Sequence, residues 1–122
     1  MVLQEEINDF AIGYRIVDVK NGKVLSLFHG TQKSREIKLD QWNVADIKKV
    51  RDGSGDNWYY SGWHFLWGKS VCERFFEKTF KNKENRKVVK CLVCGNLRPK
   101  HPKNPNSIFL ADKIFISSVD VF

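Results

Sequence analysis

Residues 12–29 read Ile12-Gly13-Tyr14-Arg15-Ile16-Val17-Asp18-Val19-Lys20-Asn21-Gly22-Lys23-Val24-Leu25-Ser26-Leu27-Phe28-His29. Two runs rich in β-branched and aromatic residues flank an Asn-Gly pair. Side chains of this kind pack well on a pleated, half-buried surface. Asn-Gly favours the type I′ turn, which needs positive φ at both central positions and matches the twist of the strands it joins. The stretch therefore predicts an antiparallel hairpin, 12–19 against 23–29. With Lys20 opposite Lys23, Ile16 faces Leu27 and Tyr14 faces His29 on one side, and Arg15 faces Phe28 on the other.

Outward from the hairpin, 36–39 reads as a short strand or turn leading to Trp42, 46–51 as a strand and 52–57 as a loop. The aromatic run 58–67 reads as a buried central strand. Residues 70–80 give the clearest helix. Val71, Cys72, Phe75, Phe76, Thr79 and Phe80 form one continuous stripe, most simply a core face. Ser70 and Glu73 have capping-box spacing, and Lys78 and Lys81 suit the negative end of the helix dipole. Residues 87–94 read as a strand. Pro99, Pro102 and Pro105 keep the basic stretch 96–107 from being a helix or central strand and make it a long loop. Residues 108–116 close the sheet. Leu3, Ile7 and Phe10 have helical spacing, so 3–10 reads as a short N-terminal helix. The expected fold is α+β, a single domain over 1–122 with one main amphipathic helix and about six strands in an antiparallel or barrel-like sheet.

A chain of 122 residues, 42% hydrophobic and 13% aromatic, is of single-domain size and is not disordered. No apolar run approaches the ~20 residues of a membrane span. The acidic start lacks the basic, then apolar, pattern of a secretory signal. Three cysteines without such a signal suit a reducing compartment. The net charge is +7. The excess concentrates between Lys78 and Lys103, where Glu84 is the one acid. This suits an anionic partner such as a phosphate, nucleotide or nucleic acid, or simply a solvated basic surface.

Cys91 and Cys94 have C-x-x-C spacing. On a strand an odd separation turns two side chains to opposite faces, and there is no second pair or nearby His pair to complete a zinc site. His29, His64 and His101 show no metal-binding spacing. Ser61 lacks the frame of a hydrolase nucleophile. No cofactor and no catalytic set is expected. The loop 51–55 could offer backbone amides to an anion or be an ordinary surface turn. The aromatic run carries more rings than one small core needs, so one face should be covered by a flat ligand or by another subunit. Bases stack on aromatic rings for ~1–3 kcal/mol each, and guanidinium forks match phosphate oxygens.

Two resemblances add to this reading. Leu27-Phe28-His29-Gly30-Thr31, with Ser61-Gly62-Trp63-His64-Phe65 and the helix from Ser70, resembles the ADP-ribosyltransferase arrangement, although only Asp112 and Asp120 stand where that family carries a glutamate. This resemblance implies His29 on an NAD ribose and Tyr60 stacked on nicotinamide. A longer string is similar to small phage proteins of the type-one anti-Thoeris sponge family: Leu27-Phe28-His29-Gly30, Ser34-Arg35, Trp42, Arg51-Asp52-Gly53, Tyr60-Ser61-Gly62-Trp63-His64, Leu97-Arg98-Pro99-Lys100 and Leu110-Ala111-Asp112. That resemblance implies a homo-oligomer in the cytoplasm of an infected bacterium, with no membrane contact. It would sequester, without cleaving it, a cyclic ADP-ribose isomer made by a TIR-domain enzyme, with cyclic oligonucleotides as further ligands at separate sites.

From their chemistry, Trp63, Phe75 or Tyr60 would stack on adenine. Arg35, Arg51, Arg98 and Lys100 would hold a pyrophosphate. Asp52, Asn57, Ser61 or Asp112 would bond ribose hydroxyls. Two other functions stay open: an NAD-using ADP-ribosyltransferase-like enzyme, and a nucleic-acid-binding or effector-blocking protein that uses 78–103.

Overall fold

The Asn-Gly hairpin forms in the expected register. Strand β1 (Ala11–Lys20) pairs with β2 (Lys23–Leu25), with Lys20 opposite Lys23, Val19 opposite Val24 and Asp18 opposite Leu25. Asn21 and Gly22 take φ of 53° and 75°, the left-handed pair that a type I′ turn requires. The structure is a computed structural model that describes residues 10–27, 36–51, 58–81, 84–101 and 108–122. The pairings expected for Phe28 and His29, and most of the helix expected over 3–10, lie outside the described residues.

The chain continues through β3 (Glu36–Ile37), β4 (Trp42–Val44), β5 (Lys49–Arg51), β6 (Trp58–Tyr60) and β7 (Trp63–Phe65) to the helix α1 (Lys69–Thr79). Strands β8 (Arg86–Cys94), β9 (Arg98–Pro99), β10 (Phe109–Ala111) and β11 (Lys113–Phe115) follow, then a 3₁₀ turn at Ser118–Asp120. The strands form a six-stranded sheet in the order β3-β2-β1-β8-β11-β4, a three-stranded sheet β7-β10-β9 and the hairpin β5-β6, and every pairing is antiparallel. Backbone bonds join the sheets. Tyr14 and Leu66 exchange two of 2.8 Å, linking β1 to the end of β7, while Ala45 N–H to the Asp112 carbonyl and Ser61 N–H to the Lys48 carbonyl extend the β4–β11 and β5–β6 pairings. The result is the expected α+β domain, a nearly closed barrel with one helix on its outside.

The strands are more numerous and shorter than the sequence suggests, for identifiable reasons. The run 58–67 is not one strand. It breaks at Ser61-Gly62, where the Ser61 hydroxyl donates to the Asp46 carbonyl and accepts from Lys48 N–H, both at 2.9 Å. A side chain at Gly62 would meet the Ala111 carbonyl at 2.8 Å, so the segment can pass this close only as glycine. The run 108–116 likewise divides at Asp112 into β10 and β11, which belong to different sheets. The basic stretch is not all loop, since Arg98 and Pro99 form an edge strand paired to β10 alone, a position where proline costs no ladder bond.

One face of β1 lines the barrel interior. Val17 packs there with Trp63, Phe65, Val89, Cys91, Val93, Ile114 and Ile116. Phe65 is fully buried, and its ring fits because position 13 is glycine: a Cβ there would lie 2.6 Å from the ring. The opposite face carries Ile16 and Tyr14, over which α1 lays Cys72, Phe75 and Phe76, with Phe80 just beyond its end. The stripe of the helix thus packs on β1 through Cys72, which is buried, and half-buried Phe75, Phe76 and Phe80. The expected capping box is not formed. The helix starts at Lys69 with Gly68 as N-cap and no side-chain cap bond, so Ser70 already lies inside the first turn. All three cysteines are free and buried. Burial pushes the Cys72 thiol up to about 11 and the Cys91 thiol up to about 12. Among the described residues no helix is long and apolar enough to cross a membrane.

Candidate functional site

On one edge β1 is bonded to β8 from Ala11 to Asp18. On the other, among the described residues, it pairs with β2 only down to Asp18 and next meets a neighbour at Tyr14, bridged to Leu66. Residues 15–17 therefore border a stretch between β2 and β7 that no described strand fills. A cavity of about 600 Å³ occupies it, within the ordinary size range of small-molecule sites. Arg15, Ser26 and Trp63 lie on its barrel side, and Phe75, Thr79 and Phe80 close it from the helix side. Arg51, Tyr59, His64 and Lys100 complete its polar and aromatic lining.

Arg15 is the decisive member. It stands on the same inward register as Gly13 and Val17, and only 7% of it is exposed. Nη1 donates to the His64 carbonyl at 2.8 Å, and Nη2 donates to the Ser26 hydroxyl at 2.6 Å. The guanidinium carbon lies 5.6 Å from the Trp63 ring centroid. Nε is buried and bonds nothing. No carboxylate among the described residues pairs with it. Burial lowers its pKa from 12.5 to about 10, with small opposing effects from Cys91 and Cys72, so it remains a cation at neutral pH.

A second cation faces the same space. The Lys100 ammonium sits 5.1 Å from the Tyr59 ring centroid, a cation–π contact, and Tyr59 meets the His64 ring edge-on at 6.4 Å. Arg51, exposed at the end of β5, is the third. No described residue of the lining carries a carboxylate.

Of the residues chosen from the sequence, Arg51, Ser61, Trp63, Phe75 and Lys100 line this cavity. The Ser61 hydroxyl is engaged by the backbone at Asp46 and Lys48. The Trp63 indole donates to the Asn43 carbonyl at 3.0 Å, and the residue is 5% exposed. Tyr60 lies elsewhere. Strand alternation turns it outward, 60% exposed, and brings its neighbour Tyr59 to the cavity. Arg98 and Asp112 are bound to each other at 2.9 Å, and Arg98 also donates to the carbonyls of Asn96 at 2.7 Å and Ser61 at 2.5 Å. Neither lines the cavity. Arg35, Asp52 and Asn57 lie outside the described residues, as does His29, on which the ADP-ribosyltransferase-like reading depends. Sequence reasoning missed Arg15, Ser26 and Tyr59. The available signal was a cation at an inward strand position between Gly13 and Val17.

The other basic side chains of 78–103 are partly engaged within the fold. Arg86 pairs with Asp18 at 3.4 Å and covers the Phe80 ring, and the Lys87 ammonium donates to the Val121 carbonyl. Among the described residues no group of three or more His, Cys, Asp or Glu could hold a metal ion.

No protein-family profile, curated protein or solved structure matches the chain.

Proposed function

We propose that this protein binds and retains a small phosphate-bearing metabolite with a flat ring, of the cyclic ADP-ribose type, without breaking it, and so silences a nucleotide immune signal as the sponge resemblance implies. The observation that carries the reading is the lining of one cavity: Arg15, Arg51 and Lys100 with Tyr59, Trp63, Phe75 and Phe80, and no described carboxylate. Three cations, with no carboxylate among the described residues of the lining, attract an anion. Rings beside them provide apolar surface for a base. The Ser61 hydroxyl donates to the Asp46 carbonyl, and no described residue of the lining carries a carboxylate.

Sequestration acts by stoichiometry, so it requires tight binding. A nanomolar Kd corresponds to about −12 kcal/mol. The test is to mix the purified full chain with a cyclic ADP-ribose isomer, remove free ligand, denature the protein and identify what is released. Intact ligand, close to one per cavity, is the expected result. Release of a cleaved product, or of nothing, contradicts the reading. A second copy covering part of the aromatic surface belongs to the same proposal, and the mass of the liganded particle in solution measures it.

A further inference from the structure

A buried arginine without a carboxylate is an expensive way to fill a barrel interior. The charge has left water, and among the described residues its acceptors are a carbonyl and a hydroxyl, both neutral. No described residue is an ion-pair partner of this cation. Methionine is apolar and would suit the neighbouring Trp63 ring better. Yet Arg15 stands at the edge of β1 between β2 and β7 and lines the cavity of about 600 Å³.

We infer that Arg15, with the Ser26 hydroxyl, is the seat of a phosphoryl group, and that the ligand supplies the counter-charge missing from the barrel. This rests on the nucleotide reading above and adds the place where its anionic part docks. Arg15 is the fixed end of the site. Its two Nη atoms are held by His64 and Ser26, and its plane is backed by Trp63, so the fork needs little ordering when the ligand arrives. Lys100 and Arg51 supply further positive charge to the same space. A guanidinium offers five N–H donors, and the bonds described here use two, which leaves donor capacity for phosphate oxygens. No bond is made or broken, and the ligand leaves as it came.

Two consequences follow. Anion binding should stabilise the whole fold, because only the folded chain forms the seat. Removal of the charge should abolish that stabilisation while leaving the empty protein at least as stable as before. The experiment is thermal unfolding of the full chain, wild type and Arg15→Met, in inorganic pyrophosphate at constant ionic strength set with chloride. A roughly hundredfold excess over Kd should raise the wild-type Tm by about 10 °C. The Tm of Arg15→Met should not move, and without pyrophosphate it should equal or exceed that of wild type. If Arg15→Met does not fold, Arg15→Lys carries the test. It keeps the charge but loses the fork, and pyrophosphate should bind it at least about tenfold more weakly. A wild-type Tm indifferent to pyrophosphate, or an equal shift in wild type and variant, overturns the proposal.

The two readings fail separately. Arg15-dependent binding of pyrophosphate, with no binding of a cyclic ADP-ribose isomer, removes the nucleotide ligand and keeps the seat. Equal binding of that isomer by wild type and Arg15→Met keeps the ligand and removes the seat.

Discussion

Arg15 and Arg98 are both drawn out of water, and each leaves a buried Nε without an acceptor. They differ in what surrounds them. Arg98 has the Asp112 carboxylate at 2.9 Å and ties together the carbonyls of Asn96 and Ser61, so it fastens the break after β6 to the start of β9 and to the break between β10 and β11. Its charge is answered within the chain. Arg15 is held by comparable hydrogen bonds but by no opposite charge among the described residues, and it faces a cavity. One arginine is a strut and the other marks a site. Arg15 is the more deeply buried of the two, and among the described residues only Arg98 has a counter-ion. A cation that folding has desolvated but not neutralised is where an anion gains most by arriving.

The largest effect should come from the strut. Arg98→Met leaves Asp112 without its partner and two carbonyls without a donor. It should lower unfolding free energy by roughly 2–3 kcal/mol, the lower part of the usual range because Asp112 is partly exposed. Denaturant titration measures this. If Arg98→Met is as stable as wild type while Arg15→Met is the more damaged of the two, the comparison is inverted.

The dryness of the Arg15 region can be read from its thiol. Burial raises Cys91 to about 12, and the nearby Arg15 charge, which would lower it, is outweighed. In the native protein at pH 8, Cys91 should react with a soluble thiol reagent on the order of 100-fold more slowly than in the unfolded chain. The sign for stability follows from the same shift. The folded thiol holds its proton more tightly than the unfolded one. The contribution is therefore complete at neutral pH and is lost as pH rises from about 9, the unfolded value, toward about 12. A rapidly reacting Cys91 would mean that water reaches this part of the interior, and the cost assigned to Arg15 would shrink with it.

The smallest effect belongs to a position remote from both arginines. Gly22, at φ of 75°, pays no Cβ penalty in the hairpin turn, and Gly22→Ala should cost about 1 kcal/mol with pyrophosphate binding unchanged. A loss of binding there would show that the site depends on the whole barrel rather than on its own lining.

What the sequence made legible was local. Asn21-Gly22 sets its own turn, and the stripe from Val71 to Phe80 needs only helical periodicity to be seen. What it hid depended on distant partners. The aromatic run looks continuous until Ser61 is known to bond Asp46 and Lys48, which divides it and decides that Tyr59, not Tyr60, turns inward. Arg98 and Lys100 look alike as loop cations. Only the position of Asp112, across the end of another strand, consumes the first and spares the second. Arg15 was readable in principle, since period-two alternation puts it with Gly13 and Val17 on the core face, but a single cation in a strand carries no sign of the cavity beside it.

Equilibrium titration of a cyclic ADP-ribose isomer into wild type and Arg15→Met, with recovery of the bound ligand, examines the central claim directly. The account predicts tight retention of unaltered ligand by wild type and at least about 30-fold weaker binding by the variant. Equal retention by both proteins would contradict it.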